Sequence, residues 1–493
     1  MGQTDVTIGI WKLSADSVED LTVSKIVMIS NNTATSSGMV KNVKLYCGAD
    51  AFGSTVDALV TPSAGNPYAP FAGTCVLPKG SYKLVTLKAD VADYGTSAFG
   101  TGGAGYYTNA LDYVEMFLTY GSPITEVSTS NLVVRGAGAV ASTTAAASST
   151  AEKMYVYRTI LTPTLACTGT CDGSQRGRNA SDEIATLTLT GTTLQSAQLR
   201  TATSVTDDSV GVTSLATSTL HYELGATSTH ARATTTRYLD DSTAVEWILK
   251  YGDGTDYVAT NSWVAFKVGT TTSSSPLRDY SRISLWIYPN KVATTSIFLA
   301  DATTTDRAFA NATAVNSATT VVLSADQWNH VDFGLNDGSG GFQATTGSAY
   351  IGVRINTSTS TIYVIDDIRL YNDSVTLNIT GDTKDSATGT VFYLKTVGGT
   401  QVGHGYLAVD GKVKLIPEST ITVGSPGTTY KITTNTNTVV ATSTTAVETL
   451  SMTISRGTPS TAGDIRWFDQ GANPDGAITW INAGAAISAS LAY

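Results

Sequence analysis

Across its first 140 residues the chain is cut into short runs of β-branched and aromatic residues, each closed by Gly, Asn, Ser or Pro. Val23–Ser30 is an apolar run, Val40–Tyr46 and Tyr82–Ala89 alternate, and Tyr113–Tyr120 is rich in aromatics. Strands at this spacing, with no helical period between them, predict antiparallel sandwiches. Composition agrees. Thr and Ser make up about a quarter of the chain, and 45 glycines are spread along it, as many tight turns require. Charged residues are 14% and hydrophobic ones 42%, so the chain lacks the high charge and low hydrophobicity of disorder. At 493 residues it is long enough for about three domains.

The pattern divides the chain. Residues 1–138 read as an N-terminal sandwich, and residues 139–152, almost all Ala, Ser and Thr, as a linker. Val43–Ala49 is similar to Val391–Gly398, and Pro78–Leu84 to Pro426–Ile432, where a Pro/Gly turn launches a strand through a Tyr-Lys-aliphatic step. These pairs predict two copies of one sandwich. The second copy opens with strand-like Met154–Leu165 and Glu183–Thr190, far upstream of its remainder. Residues 153–211 plus 372–493 are therefore expected to form one discontinuous sandwich, with 212–371 inserted into a loop that tolerates it. The insert carries Trp247, Trp263, Trp286 and Trp328 and long alternating runs, the pattern of a jelly roll.

A net charge of −10 argues against nucleic acid, which needs a basic surface. No stretch of about 18 apolar residues is present to span a membrane as a helix. No signal peptide is legible: either the numbering starts at a mature end or an upstream segment is missing, and the signal of an exported chain would lie outside this sequence. The even cysteine count predicts disulfides in an oxidising compartment. Cys47 and Cys75 lie beside strand-like runs that they would bridge as neighbours, and Cys167 and Cys171 form a C-x3-C pair. Zinc is the competing reading, although His221, His230, His330 and His404 show no ligand spacing with these cysteines.

Two resemblances follow from longer stretches. Ser284–Tyr288, Asp326–Val331 and the closing Tyr363–Leu370 resemble the galactose-binding-like jelly rolls of carbohydrate-binding modules. That likeness implies a structural calcium at the closing pair Asp366 and Asp367, and aromatic residues that platform a sugar. The flanking sandwiches, Trp11–Ile26 and the ending Gly463–Phe468 with Ile478–Asn482 are similar to S-layer-like or filament-forming surface proteins of candidate-phyla-radiation (Patescibacteria) bacteria. This second likeness implies a structural role and no active site.

Candidate chemistry is sparse. Gly100–Gly105 spells GxGxxG, but no helical period follows to meet a pyrophosphate. Asp207-Asp208, Asp240-Asp241 and Asp366-Asp367 are adjacent acids, whose side chains on a regular strand would point to opposite faces. No catalytic residue is expected. Trp263, beside Asn261-Ser262, is the tryptophan most readily placed at a rim to bind glycan, the others being expected in cores. Six sequons stand at Asn31, Asn179, Asn311, Asn356, Asn372 and Asn378. The sequence thus predicts an all-β protein: tandem Ig-like β-sandwiches with an inserted galactose-binding-like jelly roll. Its expected place is extracellular, at the cell surface, as a non-enzymatic, self-assembling subunit of a layer or filament, with the chain itself as partner and calcium as cofactor. A glycan-binding adhesin is the alternative, and Val6–Trp11 and Trp480–Tyr493 are the expected connectors between copies.

Overall fold

The computed structural model describes residues 3–30, 39–60, 66–91, 113–118, 132–136, 149–150, 154–155, 159–168, 174–191, 196–204, 220–221, 229–234, 239, 244–249, 263–267, 279–301, 313–314, 321–335, 348–358, 362–443, 446–457, 463–468, 478–479 and 486–493. Its regular structure is strand apart from short turns such as the helical turn Thr436–Val439. The chain is all-β. It divides into two units: Met1–Arg158 with Gly471–Asn473, and Thr159–Gln470 with Pro474–Tyr493.

In the first unit one sheet runs Val6–Ser14, Tyr82–Val91, Val40–Cys47, Asp50–Ala51. A second sheet centres on Leu21–Ser30, which pairs with Leu132–Gly136, Met116–Leu118 and Tyr68–Leu77. Alternation turns Ile8, Trp11, Leu45, Val85 and Leu87 inward from the first sheet to meet Val23, Ile26 and Phe71 of the second. The disulfide Cys47–Cys75 joins Val40–Cys47 of one sheet to Tyr68–Leu77 of the other, with its Cα atoms 6.1 Å apart. The expected Cys47–Cys75 bridge is thus present, and it crosses the core between facing sheets and does not tie two strands of one sheet. The bridged residues are 28 apart, and closing such a loop in the unfolded chain is worth about 3–4 kcal/mol. The first unit also reaches further than its sequence suggests. Ser149–Thr150 pairs with Met116–Leu118, and Met154–Tyr155 with Tyr113–Val114, so residues assigned to a linker and to the second sandwich are strands of the first unit.

The second unit holds a long sheet in the order Leu161–Cys167, Asp182–Gly191, Thr428–Thr434, Val391–Thr396, Gln401–Tyr406, Lys412–Pro417, Ser374–Gly381, Thr449–Ile454, Ile487–Ala492. Its first and last strands lie against each other, and the Arg176 backbone N–H donates to the Ala492 carbonyl, so the sheet rolls over its own core. The internal repeat has a structural counterpart. Val40–Cys47 pairs with Tyr82–Val91, and Val391–Thr396 pairs with Thr428–Thr434; each pair is extended on the Tyr-Lys strand's far side, by Val6–Ser14 and by Asp182–Gly191.

Between Asp182–Gly191 and Ser374–Gly381 the chain builds two more sheets. One runs Thr229–Thr234, Ala244–Leu249, Ile362–Tyr371, Arg282–Pro289, Asn329–Gly334. The other runs Leu220–His221, Trp263–Lys267, Ser348–Ser358, Ala293–Asp301, Thr313–Ala314. Thr203–Ser204 already pairs with Ile362–Tyr371, so this part opens before Val212. At its neck the backbone N–H and guanidinium of Arg200 converge on the fully buried carboxylate of Asp373, at 2.7, 2.8 and 3.1 Å. Where the chain leaves the sandwich it is clamped to where it returns.

Candidate functional site

On Arg282–Pro289 the residues Ile283, Leu285 and Ile287 are fully buried apolar side chains on one face. Arg282, Ser284, Trp286 and Tyr288 alternate onto the other. In a free jelly roll that second face would meet solvent. Here it meets the second sandwich. Trp286 packs edge-on against Tyr406 of Gln401–Tyr406, with ring centroids 5.5 Å apart, and stacks on His330 at 4.7 Å. Trp286, Trp328, Val364, Tyr406 and Ala408 form one buried cluster, flanked by Leu239, Tyr288 and Val391. Trp286 and Trp328 are therefore seam core, not sugar platforms.

Beside this apolar patch lies a buried ionic one. The Asp332 carboxylate accepts from Arg282, from the Tyr371 hydroxyl and from the ammonium of Lys414, which comes from the sandwich strand Lys412–Pro417. Burial by itself would raise the Asp332 carboxyl, but the Lys414 and Arg282 charges outweigh it and hold it far below the usual carboxylate range. Burial and the neighbouring Asp332 carboxylate push the Tyr371 phenol up. His330, which takes part in a 2.8 Å hydrogen bond with the Ser284 hydroxyl through Nε2, is driven down to about 4 by burial and stays neutral near pH 7.

A second set of charges follows along Ile362–Tyr371. Arg369 pairs with Asp367 and reaches His404 of the sandwich, whose Nδ1 meets Glu418. Gln401 Nε2 donates to both Glu418 oxygens at 3.0 and 2.9 Å. Burial opposes ionisation of Glu418, yet the hydrogen bond from His404 and its charge lower the carboxyl overall.

Asp366 and Asp367 thus have other occupations than metal. Ile362–Tyr371 slips register between Asp366, opposite Trp286, and Arg369, opposite Ser284; the extra residue is accommodated at Asp367, whose φ is 47°. The strict alternation expected of two neighbours does not hold at this bulge. Asp366 accepts from the Leu239 and Asp367 backbone N–H groups at 2.6 and 2.8 Å, and Asp367 carries the Arg369 guanidinium. The donor set does not fit calcium, which wants six or more oxygens and no cation already on the carboxylate. Among the described residues no three His, Cys, Asp or Glu side chains are grouped to hold a metal ion.

The remaining candidates are dispersed. Cys167 is disulfide-bonded, and Cys171 lies outside the described residues. The Trp263 backbone pairs with Arg354, while its side chain, like those of Trp247 and Asn356, lies outside the description. Gly100–Gly105, Asn31 and Asn311 lie outside it too. Asn179 is exposed. Asn372 is buried, accepting from the Ser281 N–H and donating to the Asp279 carbonyl, and Asn378 donates to the Thr453 carbonyl and to Asp464. In the folded chain the side-chain amides of these two sequons are already engaged in hydrogen bonds. What the sequence reading missed is the seam set Arg282, Asp332, Arg369, His404, Lys414 and Glu418. A signal existed. In a chain poor in charge, Arg282 opens the otherwise uncharged run Arg282–Pro289, and Asp332 is the acid of the short run Asn329–Gly334.

No family model matches the chain, and no curated protein matches it. Among solved structures it is similar to the N-terminal CBM22-1-CBM22-2 tandem domain of Paenibacillus barcinonensis Xyn10C, with 10% identity over 74% of this chain and 85% of that one and a TM-score of 0.23. The glycoside hydrolase domain of Spr0440, Endo-D from Streptococcus pneumoniae R6, is 8% identical over 54% of this chain and 36% of that one, with a TM-score of 0.21. The BSP domain of a biofilm associated protein is 9% identical over 100% and 92%, with a TM-score of 0.11. None of these likenesses identifies a family.

Proposed function

We propose that this chain is an extracellular structural protein, a subunit that assembles with copies of itself into a cell-surface layer or filament. The observation that carries the reading is the seam. A module that searches for ligand works from a tether with its sheet face open, whereas here one jelly-roll face is sealed onto the sandwich by aromatic packing and buried ion pairs. Such a join removes a hinge, and a subunit that must repeat with fixed geometry needs that. The Cys47–Cys75 bridge supports an oxidising compartment. No helix among the described residues is long and apolar enough to cross a membrane.

The ends are not spare strands. Val6–Ser14 is paired with Tyr82–Val91 and buries Ile8 and Trp11; Ile487–Ala492 is paired with Thr449–Ile454, and the Tyr493 hydroxyl donates to Asp182 at 2.9 Å. Both strands are already paired within their own sheets, and residues 480–485 of the expected second connector lie outside the described residues, so contacts between copies are assigned to intact edges and surfaces. Val6–Ser14, at the rim of its sheet, is one such edge. Negative-stain electron microscopy of the purified chain over a concentration series tests the proposal. Ordered sheets or filaments are expected. Monodisperse single particles at every concentration, with and without added calcium, would sink it.

A further inference from the structure

Where the jelly roll meets the sandwich, a cleft of about 500 Å³ opens beside the buried ionic patch. One wall comes from Val321–Ser324 and Asn329–Asp332 of the jelly roll, the other from Thr376 and the Ala408–Lys414 segment of the sandwich. Neither part forms it alone. Its size falls within the range of small-ligand sites, and its lining mixes apolar walls with a few converging polar groups.

The charges in the cleft cancel. Lys414 is paired with Asp332 and Lys412 with Asp410, two cations against two anions within the lining, so an ionic ligand finds no uncompensated partner. Neutral hydrogen-bonding capacity is what remains. The Thr376 hydroxyl, on a residue only 8% exposed, and the Ser324 hydroxyl have no hydrogen-bond partner among the described residues. His330, a lining residue of the cleft, spends Nε2 on Ser284 and is stacked on Trp286, and its Nδ1 has no hydrogen-bond partner among the described residues. Asn329, by contrast, is scaffold: its side chain accepts from the Ser324 N–H and donates to the Ile287, Ser324 and Gln327 carbonyls. Val322, beside Ser324 on the jelly-roll wall, and Val409, on the sandwich wall, are 65% and 52% exposed and give the cleft an apolar rim.

Hydroxyls and a neutral imidazole can each donate or accept, and this is the pattern that vicinal sugar hydroxyls complement, since each of those also does both. An apolar rim suits the C–H face of a pyranose. We propose that this seam cleft binds a single neutral pyranose residue, either a free sugar or the end of a glycan chain, through Thr376, Ser324 and His330. The proposal goes beyond the structural role, does not depend on it, and does not involve Trp263. If it holds, the join between the two parts also builds a recognition site.

The test uses the full chain. Saturation-transfer NMR with neutral hexoses and N-acetylhexosamines is run beside a glycan array, for wild type, Thr376→Val and Val409→Trp. Thr376→Val deletes one hydroxyl at constant shape. Val409→Trp fills the cleft from an exposed position and leaves the seam core untouched, so an unchanged unfolding midpoint verifies its fold. Binding of at least one neutral sugar is expected, weakened about tenfold or more in both variants. Signals from free sugars assign the free ligand, and array signals without them assign glycan ends. Silence in both formats would overturn the proposal, as would tighter binding of acidic sugars or binding that Val409→Trp leaves unchanged.

Discussion

The ammonium of Lys414, on the sandwich strand Lys412–Pro417, donates to the carboxylate of Asp332, on the jelly-roll strand Asn329–Gly334. The two residues are 82 positions apart, and their ion pair sits in a seam where both are largely removed from water. Taking charges out of water is expensive, so the pair is worth most when measured by breaking it.

Lys414→Met should therefore cost about 3 kcal/mol, the low end of the usual 3–5 because Arg282 still accompanies Asp332. The double variant Lys414→Met with Asp332→Asn should recover part of that loss, since no uncompensated carboxylate is then left in the seam. Urea unfolding followed by tryptophan fluorescence checks both. Equal losses in the single and double variants would mean that the charge is not what matters.

Acid should loosen the seam in two stages. Burial holds His330 at about 4 in the folded chain, against about 6.5 unfolded. Between those values the unfolded chain takes up a proton that the folded chain refuses, so stability falls as pH falls, by about 2 kcal/mol from pH 7 to 4.5. Asp332 and Glu418, with lowered folded values, add stability that is present above the unfolded carboxylate range and lost below it. His330→Gln should abolish the first stage and keep the second, read from urea midpoints at pH 7, 4.5 and 3.

Gly405 should not tolerate a side chain. A Cβ there would meet the Lys414 carbonyl, with its carbon at 2.6 Å, where Gln401–Tyr406 runs close against Lys412–Pro417. Gly405→Ala is expected to cost about 2–3 kcal/mol and to lower hydrogen-exchange protection on both strands. Retained protection would place the close approach outside the native state.

Chelation should leave the seam unchanged. Arg369 holds the position beside Asp367 that a cation would take, so thermal unfolding in EDTA and in millimolar calcium should coincide. Arg369→Met, which strips Asp367 of its guanidinium partner, should destabilise the unit without chelator, and a wild-type midpoint that rises with calcium would contradict the assignment.

Much of the architecture was legible along the chain because strand periodicity is local. Val40–Tyr46, Tyr82–Ala89 and Arg282–Tyr288 carry their alternation in adjacent residues, and each is a strand. The likeness of Pro78–Leu84 to Pro426–Ile432 could be read because a turn and the strand it launches are contiguous. The slip at Asp366 and Asp367 could not, because a bulge is a relation between two strands and only the facing residues Ser284 and Trp286 reveal it.

The sequence by itself determined that this protein is all-β, sparing in charge and supplied with cysteines for bridging, since those properties reside in residue types and their spacing. Tertiary structure alone decided that Cys47 crosses the core to Cys75, that Trp286 faces Tyr406, and that Asp332 meets Lys414. A side chain's partner across a seam is set by how two sheets are rolled and docked. Burial then decides what a charge does: in water Asp332 and Lys414 would be two ordinary surface residues, and between two sheets each is needed to keep the other there.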